Sequence, residues 1–383
     1  MKVAIIGGGP SGLYLGILLK RRAPDWTVQV VEQNPPDATF GFGVVLADSG
    51  MQQLREADEA SYRAMDAVMH YNDRQTIVQR ETPIEYQLNV RGGAIPRLVL
   101  LGVLQEQARQ AGVVVHFGER IEKLADLEAF GLGDADVVVG ADGANSVVRK
   151  EFATEFGTTQ RNLTNHFAWY GTSRVFPTAA LVFRRYQGGH FVAHYYAYSQ
   201  EMSTFVAECD DATWQRLDLD RMSDEERQAL FEKIYAPELQ GHPLVSNKST
   251  WRQFPVIRSA NWWHGRYVLI GDALATAHPS IGSGTRIAMN DSIALAQALL
   301  ACNGDVQHGL AQFQERHTPH KRKLIAASEA SYTWYEHMAE WMDTLEPEEF
   351  VYRFMTRTGR VDDDRLRAEF PELAARLGKG VTA

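Results

Sequence analysis

The sequence predicts an α/β fold: a Rossmann-like nucleotide-binding domain, discontinuous in the chain, with an inserted, mostly antiparallel β-sheet domain and helices at the C-terminal end. Three features lead there. A short apolar strand, a glycine-rich turn and a helix open the chain in "VAIIGGGPSGLYLGILLKRRAP", and a second strand, "WTVQVVEQN", completes a β–α–β unit. From His166 to Phe254 the texture changes to aromatic and β-branched runs between polar turns. Then "RYVLIGDA" (Arg266–Ala273) returns to a buried, parallel-type strand, and nearly everything beyond it reads as helix.

The elements follow in order. Val3–Ile6 is a buried strand, and the helix after it ends before Pro24. Asp37–Asp48, "DATFGFGVVLAD", reads as loop, with glycines that allow backbone to approach something flat. "RLVLLGVLQEQARQAG" (Arg97–Gly112) is a helix closed by Gly, and "VVVHFG" a strand. "DADVVVGADGANSVVRKEF" holds a buried strand, a turn and a new helix. "FAWYGTSRVF", "LVFRRY", "HFVAHYYAY" and "STFVAEC" are the strands of the insertion. Ser223 with Glu226 three residues on forms a capping box. The expected division is residues 1–72, 95–160 and 262–310 for the nucleotide-binding domain, 73–94 and 161–261 for the insertion, and 311–383 for the helical region.

Composition narrows the function. The 383 residues suffice for a large core, and 45% hydrophobic with 23% charged residues is ordinary for a globular chain. A net charge of −9 speaks against nucleic acid as a partner. No run of about 18 apolar residues suggests a membrane helix. The N-terminus reads as a strand rather than a signal peptide, and Cys209 and Cys302 share no motif, so a reducing cytoplasm and no metal site are expected.

Two glycine-rich turns carry the chemistry. In "GGGPSG", Gly7 permits a tight turn, Gly9 lets backbone approach a pyrophosphate, and Gly12 lets helix and strand pack closely. Pro10 and Ser11 begin the helix, whose free N–H groups attract phosphate. Glu32, 20 residues past Gly12, ends the second strand, where it can accept from a ribose. These residues predict dinucleotide binding without choosing FAD or NAD. The second turn, "GDALATAHPSIGSG" (Gly271–Gly284), sets Asp272 at a strand end and opens a helix with Pro279, Gly282, Gly284 and Thr285. Between them lies "DVVVGADGANSVVR", with Asp142-Gly143, Ser146 and Arg149, which equally suits a capped helix after a strand.

In that order the three motifs resemble the single-component FAD aromatic hydroxylases of the para-hydroxybenzoate hydroxylase type, over roughly residues 1–310. The resemblance implies an FAD-binding domain of the GR2 type. The first turn would take the ADP part with Glu32 and Gln33, Asp142 would help position the pyrophosphate, and Gly271 with Asp272 would hold the ribityl chain. Arg97 matches a family residue that contacts the nucleotide, and Phe42, Gly43 and Val44 would flank the isoalloxazine. Two departures stand out: Leu274 and Ala275 replace residues of the usual G-D-A-A-H pattern, and Arg286 stands where Asn is usual. The segments "TFGFGVVLAD", "HFAWYGTSRVF", "STFVAEC", "GHPLVSNKSTWRQFP" and "SIGSGT" look like salicylyl-CoA 5-hydroxylases, the hydroxylase half of 2-aminobenzoyl-CoA monooxygenase/reductase, and the tryptophan-side hydroxylase of violacein synthesis.

The resemblance implies that NADH or NADPH reduces FAD, O₂ forms a flavin hydroperoxide, and an electron-rich aromatic ring is hydroxylated, with an aryl-CoA thioester ahead of a free aromatic acid or an indole. The state expected is a monomer or homodimer. Candidate catalytic residues are His194 and Tyr196, with Tyr195 between them, and His278, which would orient or deprotonate the substrate. Arg184-Arg185 and "HKRK" (His320–Lys323) are the basic clusters available to CoA phosphates. A halogenase is disfavoured, because "NWWHGR" does not supply the W-x-W-x-I-P motif.

Overall fold

A computed structural model describes residues 1–38, 41–248, 250–282 and 284–378, with backbone alone for 47–50 and 89–91. Its strands are β1 (Lys2–Ile6), β2 (Thr27–Glu32), β3 (Gly43–Ala47), β4 (His70–Gln79), β5 (Thr82–Pro96), β6 (Val114–Phe117) and β7 (Val137–Gly140). They continue as β8 (Thr158–Thr172), β9 (Ala179–Tyr186), β10 (Gly189–Ala197), β11 (Ser203–Cys209), β12 (Leu244–Ser246), β13 (Arg252–Ser259), β14 (Trp263–His264) and β15 (Tyr267–Leu269).

Two sheets result. The first has the order β14-β15-β7-β1-β2-β6 and is parallel except for the β14–β15 pair. Its central strands β1 and β7 are buried on both faces and read as nearly unbroken apolar runs. The second runs β12-β8-β11-β10-β9-β4-β5-β3, with β13 on β8, and is antiparallel except for β4 against β9. The stretch 37–48, expected as loop, contains β3. It becomes a strand by pairing with β5, from Gly43 opposite Pro96 to Ala47 opposite Gly92. Because strand side chains alternate, β10 sends Phe191, Ala193 and Tyr195 into an aromatic core beneath one face and turns Val192 and His194 to the other. Tyr195 stacks on Phe176 with ring centroids 3.8 Å apart, on the face away from His194.

Helix Pro10–Arg22 packs on helices Arg97–Ala111 and Gly284–Ala301. A 31-residue helix, Val306–Glu336, spans both sheets, with Pro319 inside it. The capping box at Ser223 and Glu226 is present. Residues 379–383 of the expected helical region lie outside the described residues. Among the described residues no helix is long and apolar enough to cross a membrane.

One buried carboxylate fixes the late turn. Asp291 Oδ2 accepts from the Gly271 N–H at 2.9 Å and from Lys321 Nζ, while Oδ1 meets His317 Nε2 at 2.9 Å. Burial alone would raise its carboxyl, but Lys321 and His317 outweigh that and hold it below its ordinary value. Its stabilisation is therefore full above the unfolded carboxyl range and is lost as pH falls through the folded value. Asp291→Asn leaves the Lys321 charge buried without its partner. We expect a loss of about 3–5 kcal/mol in urea-denaturation stability at neutral pH.

Candidate active site

The two glycine turns meet. A Cβ on Gly271 would lie 3.1 Å from Ser11 Oγ, and Ser292 Oγ donates to Ser11 O at 2.8 Å. Gly7 has φ +106°, and a Cβ there would sit 2.4 Å from Ala141 O, so this turn against β7 requires glycine. Gly12 is as tight, with its Cβ position 2.0 Å from Gly7 O. Gly9 differs: a Cβ there would meet nothing within 4 Å. The helix begins at Pro10 with no side-chain cap, so its first N–H groups face the groove beside Gly9.

Glu32 sits at the groove's edge beside the exposed Gln33. Its Oε2 accepts from Gly8 N at 2.6 Å and its Oε1 from Asn34 N and Nδ2 at 2.8 and 2.7 Å. A carboxylate has about four lone-pair sites, so capacity remains for one hydroxyl. Asp142 Oδ2 caps Val147 N at 2.7 Å, while its Oδ1 is buried without a donor; burial raises its carboxyl. The Arg149 guanidinium donates to Ala273 O at 2.9 Å and ties the middle motif to the late turn.

Asp272 opens into the same groove and receives no protein hydrogen bond among the described residues. Desolvation by the surrounding protein raises its carboxyl, against the pull of Lys321 and Arg97. Burial in turn lowers the Arg97 guanidinium, which the Asp272 charge opposes. The Arg97 N–H donates to Phe42 O at 2.7 Å. The segment of Phe42, Gly43 and Val44 is stapled to the second sheet: Gly43 N donates to Thr204 Oγ1 at 2.9 Å, and Tyr196 OH donates to Gly43 O at 2.9 Å. The Phe42 ring lies against Gly171, and Val44 packs on the core of the first sheet.

Beyond the groove lies a pocket between the free face of the second sheet and the late turn. Phe167, Leu181, Val192, His194, Val206 and Glu208 form its floor, and His278, Pro279, Ser280 and Tyr335 its roof. The enclosed space is ≈ 30 Å³, against the ~150 Å³ of a cavity that takes benzene, so wall side chains must rotate to admit a ring. The roof is held from several sides. His278 N donates to Ser328 Oγ at 2.8 Å, Ser280 Oγ meets Ser331 Oγ at 2.7 Å, and Arg357 Nη2 donates to Ser280 O at 3.0 Å. Gly282, at φ +58°, ends this turn, and Gly284 and Thr285 start the next helix half-buried.

Both candidate histidines face this pocket. Burial, with the nearby Arg357 charge adding to it, pushes His278 down to about 3 and His194 down to about 4. Ser280 N donates to His278 Nδ1 at 3.2 Å, which leaves the proton on Nε2. Burial thus favours a neutral His278, a hydrogen-bond donor through Nε2 that suits orienting a ring better than taking its proton. Tyr196 lies 5.3 Å from His194, ring to ring, but its hydroxyl is committed to Gly43.

Sequence reasoning missed Glu208, Asn165, Tyr335 and Arg357. The signal for Glu208 was an acid on the inward side of the strand "STFVAEC". Of the basic clusters, Arg322 and Lys323 are exposed, while the other cations are already engaged. Arg184 is bound by Glu81, Glu238 and Ile234 O, Arg185 pairs with Asp343, and Lys321 is buried on Asp291.

A groove clasped by two glycine turns, opening on a mostly apolar pocket under a histidine-bearing turn, defines an FAD-dependent aromatic monooxygenase. The open position at Gly9, the orphaned Asp142 Oδ1 and the unpartnered Asp272 suit a long dinucleotide with hydroxyls along its middle. Residues 1–328 match the FAD binding domain family, and the chain belongs to it. It is 38% identical to salicyloyl-CoA 5-hydroxylase from a Streptomyces species, over 94% of this chain and 70% of that one. It is 34% identical to protodeoxyviolaceinate monooxygenase of Chromobacterium violaceum, over 93% and 94%. With 3-hydroxy-4-methyl-anthranilyl-[aryl-carrier protein] 5-monooxygenase of Streptosporangium sibiricum it shares 31%, over 96% and 97%. Among solved structures, the tetrameric form of 2-methyl-3-hydroxypyridine-5-carboxylic acid oxygenase has the same fold, with a TM-score of 0.73 at 17% identity over 96% of this chain and 95% of that one.

Gly9→Ala separates ligand contact from folding. The methyl meets no protein atom, so thermal stability of the apoprotein should hold. FAD affinity, followed by flavin fluorescence quenching, should fall by about tenfold or more, because the methyl intrudes where the backbone must approach the pyrophosphate.

Proposed function

We propose that the protein hydroxylates an electron-rich aromatic ring presented as a thioester, an aryl-CoA such as salicylyl-CoA, using NAD(P)H and O₂. The pocket's charge carries this reading. Its described lining includes Glu208 and two neutral histidines and no Lys or Arg. A free aromatic acid would bring a second carboxylate beside Glu208, whereas a thioester carbonyl is neutral. The names of two relatives, one acting on a CoA ester and one on a carrier-protein ester, support the same class.

Within this reading, Gly7, Gly9, Gly12 and the helix start at Pro10 and Ser11 bind the pyrophosphate end, with Glu32 on a ribose hydroxyl. Asp272 and Arg97 bind the middle of the cofactor, and the segments at Phe42–Val44 and His278–Thr285 face its ring system. Bound FAD, reduced by NAD(P)H, supplies the oxygen atom from O₂. Phe167, Leu181, Val192 and Val206 exclude water from the ring, and His278 donates a hydrogen bond to it. An indole or tryptophan-derived substrate is the second reading, favoured by the 34% relative of the violacein pathway.

Purified protein should be yellow. Its NAD(P)H oxidation and O₂ uptake should rise at least about tenfold with salicylyl-CoA, and the product should gain the mass of one oxygen without any need for chloride. Salicylate should give no such stimulation. If salicylate or a tryptophan-derived indole is hydroxylated and the thioester is not, the thioester reading is wrong.

A further inference from the structure

We propose that Glu208 is the proton acceptor for the substrate ring: its carboxylate takes the proton of a ring hydroxyl, so the ring meets the cofactor as phenolate. The proposal rests on the hydroxylase reading above and names a catalytic residue within it. The transfer balances as phenol plus carboxylate giving phenolate plus carboxylic acid, and it consumes no oxidant.

The placement comes from the sheet. Glu208 stands on β11 opposite Phe167 of β8 and Val192 of β10, with its side chain on the pocket face. It is 7% exposed. Asn165 Nδ2 donates to Oε1 at 2.9 Å and also to Tyr335 O at 3.0 Å, which sets the carboxylate against the long helix. Among the described residues no group donates to Oε2, which leaves that oxygen for a ligand.

The groups around it leave no other acceptor. His194 on β10 and His278 in the roof stay neutral throughout the working range. Tyr335 on the long helix and Cys209 on the same strand are both pushed up by burial and hold their protons. Arg357, reaching in from the segment after helix Pro347–Thr356, has no lone pair to offer. Glu336, on the long helix, is bound by Thr164 and by Asn165 N at 3.0 Å, outside the pocket lining. Glu208 itself is raised to about 7, chiefly by burial and further by the Glu336 charge, against the Asn165 hydrogen bond. It can therefore take a proton and release it near neutrality, as a general base requires.

The test uses the FAD-loaded full chain with salicylyl-CoA as the phenolic probe. For the wild type, kcat/KM for hydroxylation should rise with pH through about 7 and level off above it. In difference spectra of the oxidised, anaerobic complex, phenolate absorbance should grow over the same interval. Glu208→Gln should bind the probe as phenol through this interval, lose the acid limb near 7, and lose about 10²-fold or more in kcat/KM there. Two neighbours give a signature that a merely structural carboxylate would not. Glu336→Gln removes a charge that raises Glu208 and should move the limb to lower pH; Asn165→Ala removes a bond that lowers it and should move the limb to higher pH. If Glu208→Gln does not fold, these opposite shifts decide the matter. Hydroxylation with the limb and the phenolate signal unmoved in the variants overturns the proposal alone. A wild type that neither binds nor hydroxylates the probe overturns the thioester reading, and this proposal with it.

Discussion

The contact between Asp291 and the Gly271 N–H governs the rest of the architecture. It joins a strand end of the first sheet to helix Gly284–Ala301 and, through His317 and Lys321, to the long helix Val306–Glu336. A buried ion cluster of this kind adds little net stability against a well-packed apolar alternative, but it tolerates few geometries. What it secures here is position. Gly271 is held against Ser11, so the early and late turns share one groove, and Asp272 is set opposite Arg97. The chain elements on either side are about 260 residues apart in sequence, and nothing local in either one could fix that distance.

The second sheet divides its labour by pleat. One face is a closed aromatic core in which Phe191, Phe205, Phe231 and Tyr235 pack edge to face. The other face carries few polar side chains, and each is placed where burial alters its chemistry. His194 loses its affinity for a proton, while Glu208 gains some. A single physical cause thus gives two adjacent strands opposite titration behaviour, because desolvation always penalises the charged form.

Much of this was legible in the sequence. The glycine spacing, Glu32 and the late G-D turn are constrained by cofactor shape, so residue type and interval carried the information. The switch from buried parallel strands to an antiparallel sheet followed from texture. What could not be read depended on distant partners. Gly43–Ala47 is a strand only because Gly92–Pro96 pairs with it and Thr204 holds its first N–H. Glu208 looked like any polar residue in a strand until Asn165 and Glu336 were placed around it. The reverse error occurred with Arg184 and Lys321, whose apparent availability vanished once Glu81, Glu238 and Asp291 were located.

The roof of the pocket belongs to the helical C-terminal region as much as to the turn that bears His278. Ser328 and Ser331 from one helix and Arg357 from the end of another grip that turn at the His278 N–H, the Ser280 hydroxyl and the Ser280 carbonyl. The tail is thus a tuning peg for the reactive chamber. Exchanging it between homologues would retension the ceiling without touching a floor residue.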